Sequence, residues 1–318
     1  MNEFSSGDPA EGFSSGDAAF EGFRLTREQP RVVLTWALFH LIVSFVSATA
    51  LILLGGDFLL QAENAADMTP AEMAVFMREM APAYLTLAPI GLFVVSVAAA
   101  AVYRIYLRPE EAAERGYLRF GADEIRLIGL TLIYYLLTIG GVLGLSLLAA
   151  IGAALASLAG QSAMALVGGG MLLFFGGLWL FVLVRLSLAP VLTFDQQRLV
   201  VFGSWSLTRG HFWPMLGAYL LALISIIVVS LLAMVIFAAL AGIATLATGG
   251  SMSSVGEAFQ PDFSSFSAYV SVQTVLYLMF NAVLTAIYYP VILAPQVMAY
   301  QAFRPAPQAQ DGGVEPFA

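Results

Sequence analysis

Six long apolar runs separated by short polar stretches dominate the chain, at about 32–54, 83–106, 127–158, 164–188, 213–247 and 269–303. A helix needs about 20 apolar residues to cross a hydrocarbon core of ~30 Å, so each run predicts a membrane span. The fifth exceeds what a bilayer requires and has to tilt or project beyond it. The pattern therefore predicts an all-α integral membrane fold, a six-transmembrane-helix bundle.

The polar stretches predict smaller elements. Residues 1–16 hold a nine-residue near-repeat, Phe4-Ser5-Ser6-Gly7-Asp8 and Phe13-Ser14-Ser15-Gly16-Asp17. Two Ser/Gly copies read as a disordered tail, and the Pro/Gln/Gly-rich residues 304–318 read as another. Residues 17–303 then form the membrane domain. Asp17 is placed to cap a short helix with Phe20 and Phe23 on one face and Arg24 and Arg27 beside them, a pattern suited to the headgroup plane. Thr69-Pro70-Ala71-Glu72 starts a second short surface helix bearing Met73, Phe76, Met77 and Met80. After span two, Pro109, Glu110 and Glu111 suit a first helical turn, with Glu111 and Arg115 spaced to pair. Between spans four and five, Asp195, Arg198 and Arg209 surround an apolar stripe of Leu199, Phe202 and Trp205. Short amphipathic interfacial helices are expected on this side.

Charge gives the orientation. All 13 basic residues are arginines, and only Arg78 falls outside the tail and loops of one side. Cytoplasmic loops carry the Lys/Arg excess, so the arginine-rich side is the inside and both termini are cytoplasmic. The net charge of −8 does not weaken this, because the rule counts Lys and Arg alone. Charged residues are 11% of the chain against about 25% in soluble domains, which leaves no separate soluble domain. About 30 polar residues precede the first apolar run, so no cleavable signal peptide is expected. With no cysteine, disulfides, thiolate metal sites and cysteine nucleophiles are excluded. Nothing is basic enough to suggest nucleic acid as a partner.

Inside the spans polar chemistry is sparse. His40 in span one and Asn281 in span six read as packing residues, an amide in lipid usually bonding a neighbouring helix for about 1 kcal/mol. Gly140 and Gly144 form a G-x-x-x-G that, with Ala149, Ala153 and Ser157, lets helix backbones approach closely. No acidic residue stands in the six runs, which argues against ion-coupled transport. Without converging nucleophiles, metal ligands or acid–base pairs, no catalytic residue, metal or cofactor is expected.

The strongest functional candidate is the inner face, with Arg104, Arg108, Arg119, Asp123, Glu124, Arg126, Arg185 and Arg209. Each arginine gains about 1 kcal/mol from anionic headgroups, and any of them can instead pair with the nearby acids. Arg119, Arg126, Arg185 and Arg209 with Asp123, Glu124 and Asp195 are expected to tie the second inner loop to the third. The first functional reading is a non-catalytic scaffold, or a protein that binds membrane lipids, another membrane protein or itself. The alternative is a transporter or lipid-handling carrier with a cavity among spans three to six.

Three stretches carry a family resemblance: Leu118–Arg126, Arg185-Leu186-Ser187-Leu188-Ala189-Pro190, and Ser204–Trp213. Together they resemble the bacterial inner-membrane proteins related to the membrane domain of glycerophosphoryl diester phosphodiesterases, over about residues 18–303. In that family catalysis belongs to a separate soluble barrel, so the resemblance implies a six-span inner-membrane protein without the activity. It implies a shared inner-face framework of Arg119, Asp123, Glu124, Arg126, Arg185, Pro190, Ser204, Trp205, Arg209 and Gly210.

Overall fold

The computed structural model describes residues 13–54, 68–158, 160–247, 249, 256, 261–263 and 265–304. Both expected tails, apart from residues 13–16 and 304, and most of the two longer outer loops lie outside these residues. The described residues form helices and no strands: α1 (Ser15–Glu28), α2 (Pro30–Leu53), α3 (Pro70–Leu107), α4 (Ala122–Ser157), α5 (Gln161–Leu186), α6 (Ala189–Asp195), α7 (Gly203–Leu207), α8 (Phe212–Ala247), α9 (Phe266–Tyr269) and α10 (Val272–Phe303). Six of them, α2, α3, α4, α5, α8 and α10, are long and apolar enough to cross a membrane. The chain is a multi-pass membrane protein, and its six-helix bundle agrees with the sequence pattern.

Packing is uneven along the bundle. The main core gathers at the arginine-rich end, where Trp36, Tyr103, Leu188, Phe194, Met215 and Val297 are buried together. By contrast, no residue in the most apolar eighteen of α4 is buried. In lipid this costs little, since tails are as apolar as leucine, and it leaves the α4–α5 hairpin joined to the rest chiefly near its inner end. There α4 packs on α3 and α6, while within the hairpin Tyr134 of α4 donates to the Leu186 carbonyl of α5 at 3.0 Å.

Several local expectations change. The helix after the tail begins at Ser15, capped by the Ser14 hydroxyl, which accepts from the Asp17 N–H. It does not lie on the surface by its phenylalanines. Ala18, Ala19, Gly22 and Leu25 are buried, and α1 docks into the bundle against α8 and α10. Phe20 is left exposed. The approach at Gly22 is so close that an added Cβ would stand 2.5 Å from the Pro290 carbonyl carbon and oxygen. Glycine is there because a backbone occupies the space of a side chain.

At the end of the bundle away from the arginine cluster, Thr69 and Glu72 form the expected capping box, but no separate surface helix comes after it. α3 continues through Pro82 and Pro89 into span two as one helix of 38 residues. Phe76 and Met80 are the buried part of its methionine-rich face, packed with Leu51.

After α3 the expected helix at Pro109 gives way to turns and a single 3-10 turn at Ala113–Arg115. Ala112, Gly116 and Tyr117 take left-handed φ of 58°, 60° and 64°. Glu111 turns back to the cations of α3, lying 3.9 Å from Arg104 and 3.8 Å from Arg108, so it does not pair with Arg115. That reversal aims two carbonyls at the core: Trp36 donates its indole N–H to Gly116 at 2.7 Å, and Arg104 donates to Tyr117 at 3.0 Å. Strain in Tyr117 is held by a bond whose donor has no water to turn to.

Two packing expectations fail. Gly140 and Gly144 are exposed, and a Cβ at either would meet nothing within 4 Å. The close contacts of α4 with α5 fall instead at Gly141 against Trp179 and Gly152 against Met171. Among the described residues Asn281 bonds no neighbouring helix. It is exposed, and its carbonyl oxygen accepts from Thr285, one turn along α10, at 3.4 Å. His40, as expected, is a buried packing residue, stacked on Tyr289 at 5.0 Å.

Candidate functional site

The inner-face arginines divide into two groups that their sequence neighbours do not distinguish. Arg104, Arg108, Arg119 and Arg126 form the first. Arg104, placed one turn before the end of α3, is wholly buried and so faces no headgroup. It bonds the equally buried Glu124 in the first turn of α4, whose other oxygen accepts from the Gly121 N–H at 2.7 Å. Arg108 bonds Asp123 at 3.0 Å and the Phe194 carbonyl at 2.6 Å, and its guanidinium lies 4.4 Å from the Phe194 ring centre. Arg126 holds the other oxygen of Asp123 at 2.7 Å. Arg119, mostly exposed, stands 3.6 Å from Glu111. Short, multiply bonded and largely out of water, the centre of this cluster is a structural clamp joining α3, α4 and α6.

The second inner loop is thus tied to the third, though by different residues from those expected. Arg108 makes the tie, through carbonyls at the end of α6, where the unpaired C=O groups of a helix favour a cation. Among the described residues the Asp195 carboxylate pairs with no arginine: it accepts from the Tyr300 hydroxyl of α10. α6 itself is buried along Val191, Leu192, Thr193 and Phe194, and so belongs to the core. Sequence reasoning does not reach Tyr117, Phe194 and Tyr300 as partners. The run Ala98–Ala101 before Arg104 is the available signal, since small residues let neighbouring helices close over this part of α3.

Arg185, Arg198 and Arg209 form the second group, and among the described residues none of them has a carboxylate within ion-pair distance. Arg209 is exposed, so its expected ion pair is replaced by open cation. Arg198 bonds, among the described residues, only the Gln196 side chain. Arg185 lies at the end of α5 with its guanidinium 5.3 Å from the ring centres of both Phe181 and Trp205. It donates to the Trp205 carbonyl and the Thr208 hydroxyl at 3.3 Å, while its Nε has no partner. The segment is pinned by Ser204, whose hydroxyl donates to the Arg185 carbonyl at 2.7 Å and accepts from the Leu188 N–H. Around these cations Leu199, Phe202, Trp205 and Trp213 are exposed, as residues dipping into a headgroup layer are.

Beside this group runs a groove of about 440 Å3 between α5, α8 and α10. Its walls are apolar, among them Val184, Leu216 and Ile226, and Leu183, Leu220 and Ile292 are exposed along it, so it opens sideways to where lipid tails lie. Its inner end is polar. Tyr219 donates to the Ser187 hydroxyl at 2.7 Å, and Gln296 accepts from Tyr103 at 3.1 Å. Arg185 does not line the groove: it follows Val184 on α5, and its guanidinium turns toward Phe181, Trp205 and Thr208, so the cationic group adjoins the groove's polar end rather than its walls.

Among the described residues no three His, Cys, Asp or Glu side chains converge as metal ligands would. His211 stacks on Phe303 at 4.0 Å, far along the chain from His40. No family model, curated protein or solved structure matches the chain.

Proposed function

We propose that this multi-pass protein is a non-catalytic lipid-binding protein of the bacterial inner membrane, arginine-rich end in the cytoplasm. It seats an anionic phospholipid, acyl chain along the α5–α8–α10 groove and phosphate at Arg185 and Arg209. The observation that carries this reading is a laterally open apolar groove whose α5 wall runs into a segment of arginines that have no carboxylate partner among the described residues. Guanidinium groups without carboxylates at a headgroup layer match phosphate, to which arginine presents a planar fork. The resemblance to the phosphodiesterase-related membrane proteins fits the reading, with Arg185, Ser204, Trp205 and Arg209 as framework around the headgroup.

Native mass spectrometry from mild detergent tests it. The wild-type chain should retain an anionic phospholipid, and the double variant Arg185→Gln/Arg209→Gln should lose it with little change in melting temperature. Charges at an exposed interface contribute little to stability. A wild-type chain that emerges without lipid, or a double variant that keeps it, would reject the assignment. The clamp variant Arg126→Gln, remote from the groove, should retain the lipid.

Orientation is examined separately. In a chain without native cysteine, one introduced at Ser206 should react only with reagent that has reached the cytoplasmic side, and one at Ser267 from outside. The reverse pattern would turn the protein over.

A further inference from the structure

The exposed amide of Asn281 has no packing role in the bundle, and its depth makes that unusual. Leu41 and Ile42, at the middle of α2, line a shallow groove with Leu278 and Met279 of α10. Asn281 comes two residues after Met279 and nine after the start of α10 at Val272, and so lies inside the hydrocarbon rather than at its edge. An amide left in hydrocarbon without a partner costs several kcal/mol, so a polar group that faces lipid there is normally met by another polar group.

Asn281 is also not isolated. At 3.6 residues per turn, Asn281, Thr285, Tyr288, Ile292 and Gln296 fall on one face of α10. Ile292 and Gln296 line the lipid groove, so the same face continues outward from it as a polar stripe. Ser230 of α8 widens the stripe through its hydroxyl, 2.6 Å from that of Tyr288. From Gln296 to Asn281 is 15 residues, or about 22 Å of helix, roughly three quarters of a ~30 Å core.

We infer that the groove is a passage as well as a seat. A phospholipid headgroup leaving Arg185 moves along the Gln296–Tyr288–Thr285–Asn281 face while its tails stay in lipid, so that the protein exchanges phospholipid between the two leaflets. No bond is made or broken, and equilibration needs no energy source. Hydrogen bonds along the stripe replace part of the headgroup's hydration where a bare bilayer offers none. This rests on the lipid-seating reading, since the groove supplies the inner end of the path.

The test uses the full chain in liposomes containing phosphatidylglycerol with a trace of tail-labelled fluorescent phosphatidylglycerol, quenched by a membrane-impermeant reductant. Protein-free vesicles lose only the outer-leaflet signal. With the wild-type chain the inner-leaflet signal should be lost as well. Asn281→Leu should slow that second phase about tenfold, the factor expected for one ordinary hydrogen bond lost at the barrier, and Asn281→Gln should restore it. Because Asn281 faces lipid, the leucine variant should fold, and its retained lipid by native mass spectrometry should equal that of the wild type. Lipid retained but no second phase in the wild type overturns the passage and leaves the seat. A second phase that Asn281→Leu does not slow overturns this route. Loss of both lipid and exchange in the wild type removes the two readings together.

Discussion

Glu124→Leu is expected to destabilise the protein more than any other single change at the inner face. Arg104 and Glu124 are both wholly buried and bond each other, and among the described residues the Tyr117 carbonyl is the one further hydrogen-bond acceptor for Arg104, with Glu111 3.9 Å from its Nε. Removing the carboxylate leaves a guanidinium out of water without its counter-charge, which costs about 3–5 kcal/mol. It also strips the cap from the Gly121 N–H at the start of α4. For a chain of this size the melting temperature should fall by roughly 6–15 °C. The double variant Arg104→Met/Glu124→Leu should recover a good part of the loss, because no charge is then stranded. Thermal melting in detergent reads both. A single variant that melts with the wild type would mean that the pair does not hold the end of the bundle together. Arg209→Gln, exposed and without an ion pair, should by contrast leave the melting temperature unchanged.

The second large effect is expected at Gly22. A leucine there cannot be accommodated by a side chain moving aside, because the obstacle is the backbone of Pro290 and Val291. Overpacking of this kind costs about 1–3 kcal/mol or more, and the cheapest escape is for α1 to leave its seat. Arg24 and Arg27 are exposed in the docked helix, but its backbone would then be free to unwind into a trypsin site. Cleavage that tracks the open population should speed up roughly ten- to hundredfold. Gly22→Ala should fall between. Unchanged cleavage in the leucine variant would place the α1 seat elsewhere.

The spans are legible in the sequence because their signal is local: apolar length gives the helices and arginine asymmetry gives the sides. The features that stay hidden depend on partners far along the chain. The Ala18-Ala19-Gly22 face of α1 is as visible in the sequence as Phe20 and Phe23. Only the approach of Pro290 decides that the small face is the buried one. Gly140 and Gly144 fail for the converse reason. A small-residue face permits a close contact without supplying a partner, and this chain provides none at those positions. Arg104 and Arg209 both stand in polar loop margins beside aromatic residues. Trp36, Tyr117 and Phe194 converge on one, and nothing carboxylate comes near the other among the described residues. The candidate site is therefore half legible. Its residues stand out by type and position, but burial alone separates clamp from headgroup contact.

The seat of α1 has a consequence for biosynthesis. Gly22 emerges from the ribosome early, while Pro290 and Val291, on which it rests, lie about 268 residues later in the chain. At about 5–20 residues per second, roughly 13–54 s pass between the two. Throughout that interval Ala18, Ala19 and Leu25 have no α10 to cover them, and the first five spans enter the membrane around a place still to be filled. Closure of the bundle thus waits for span six, and a nascent chain arrested before it should leave its first helix undocked.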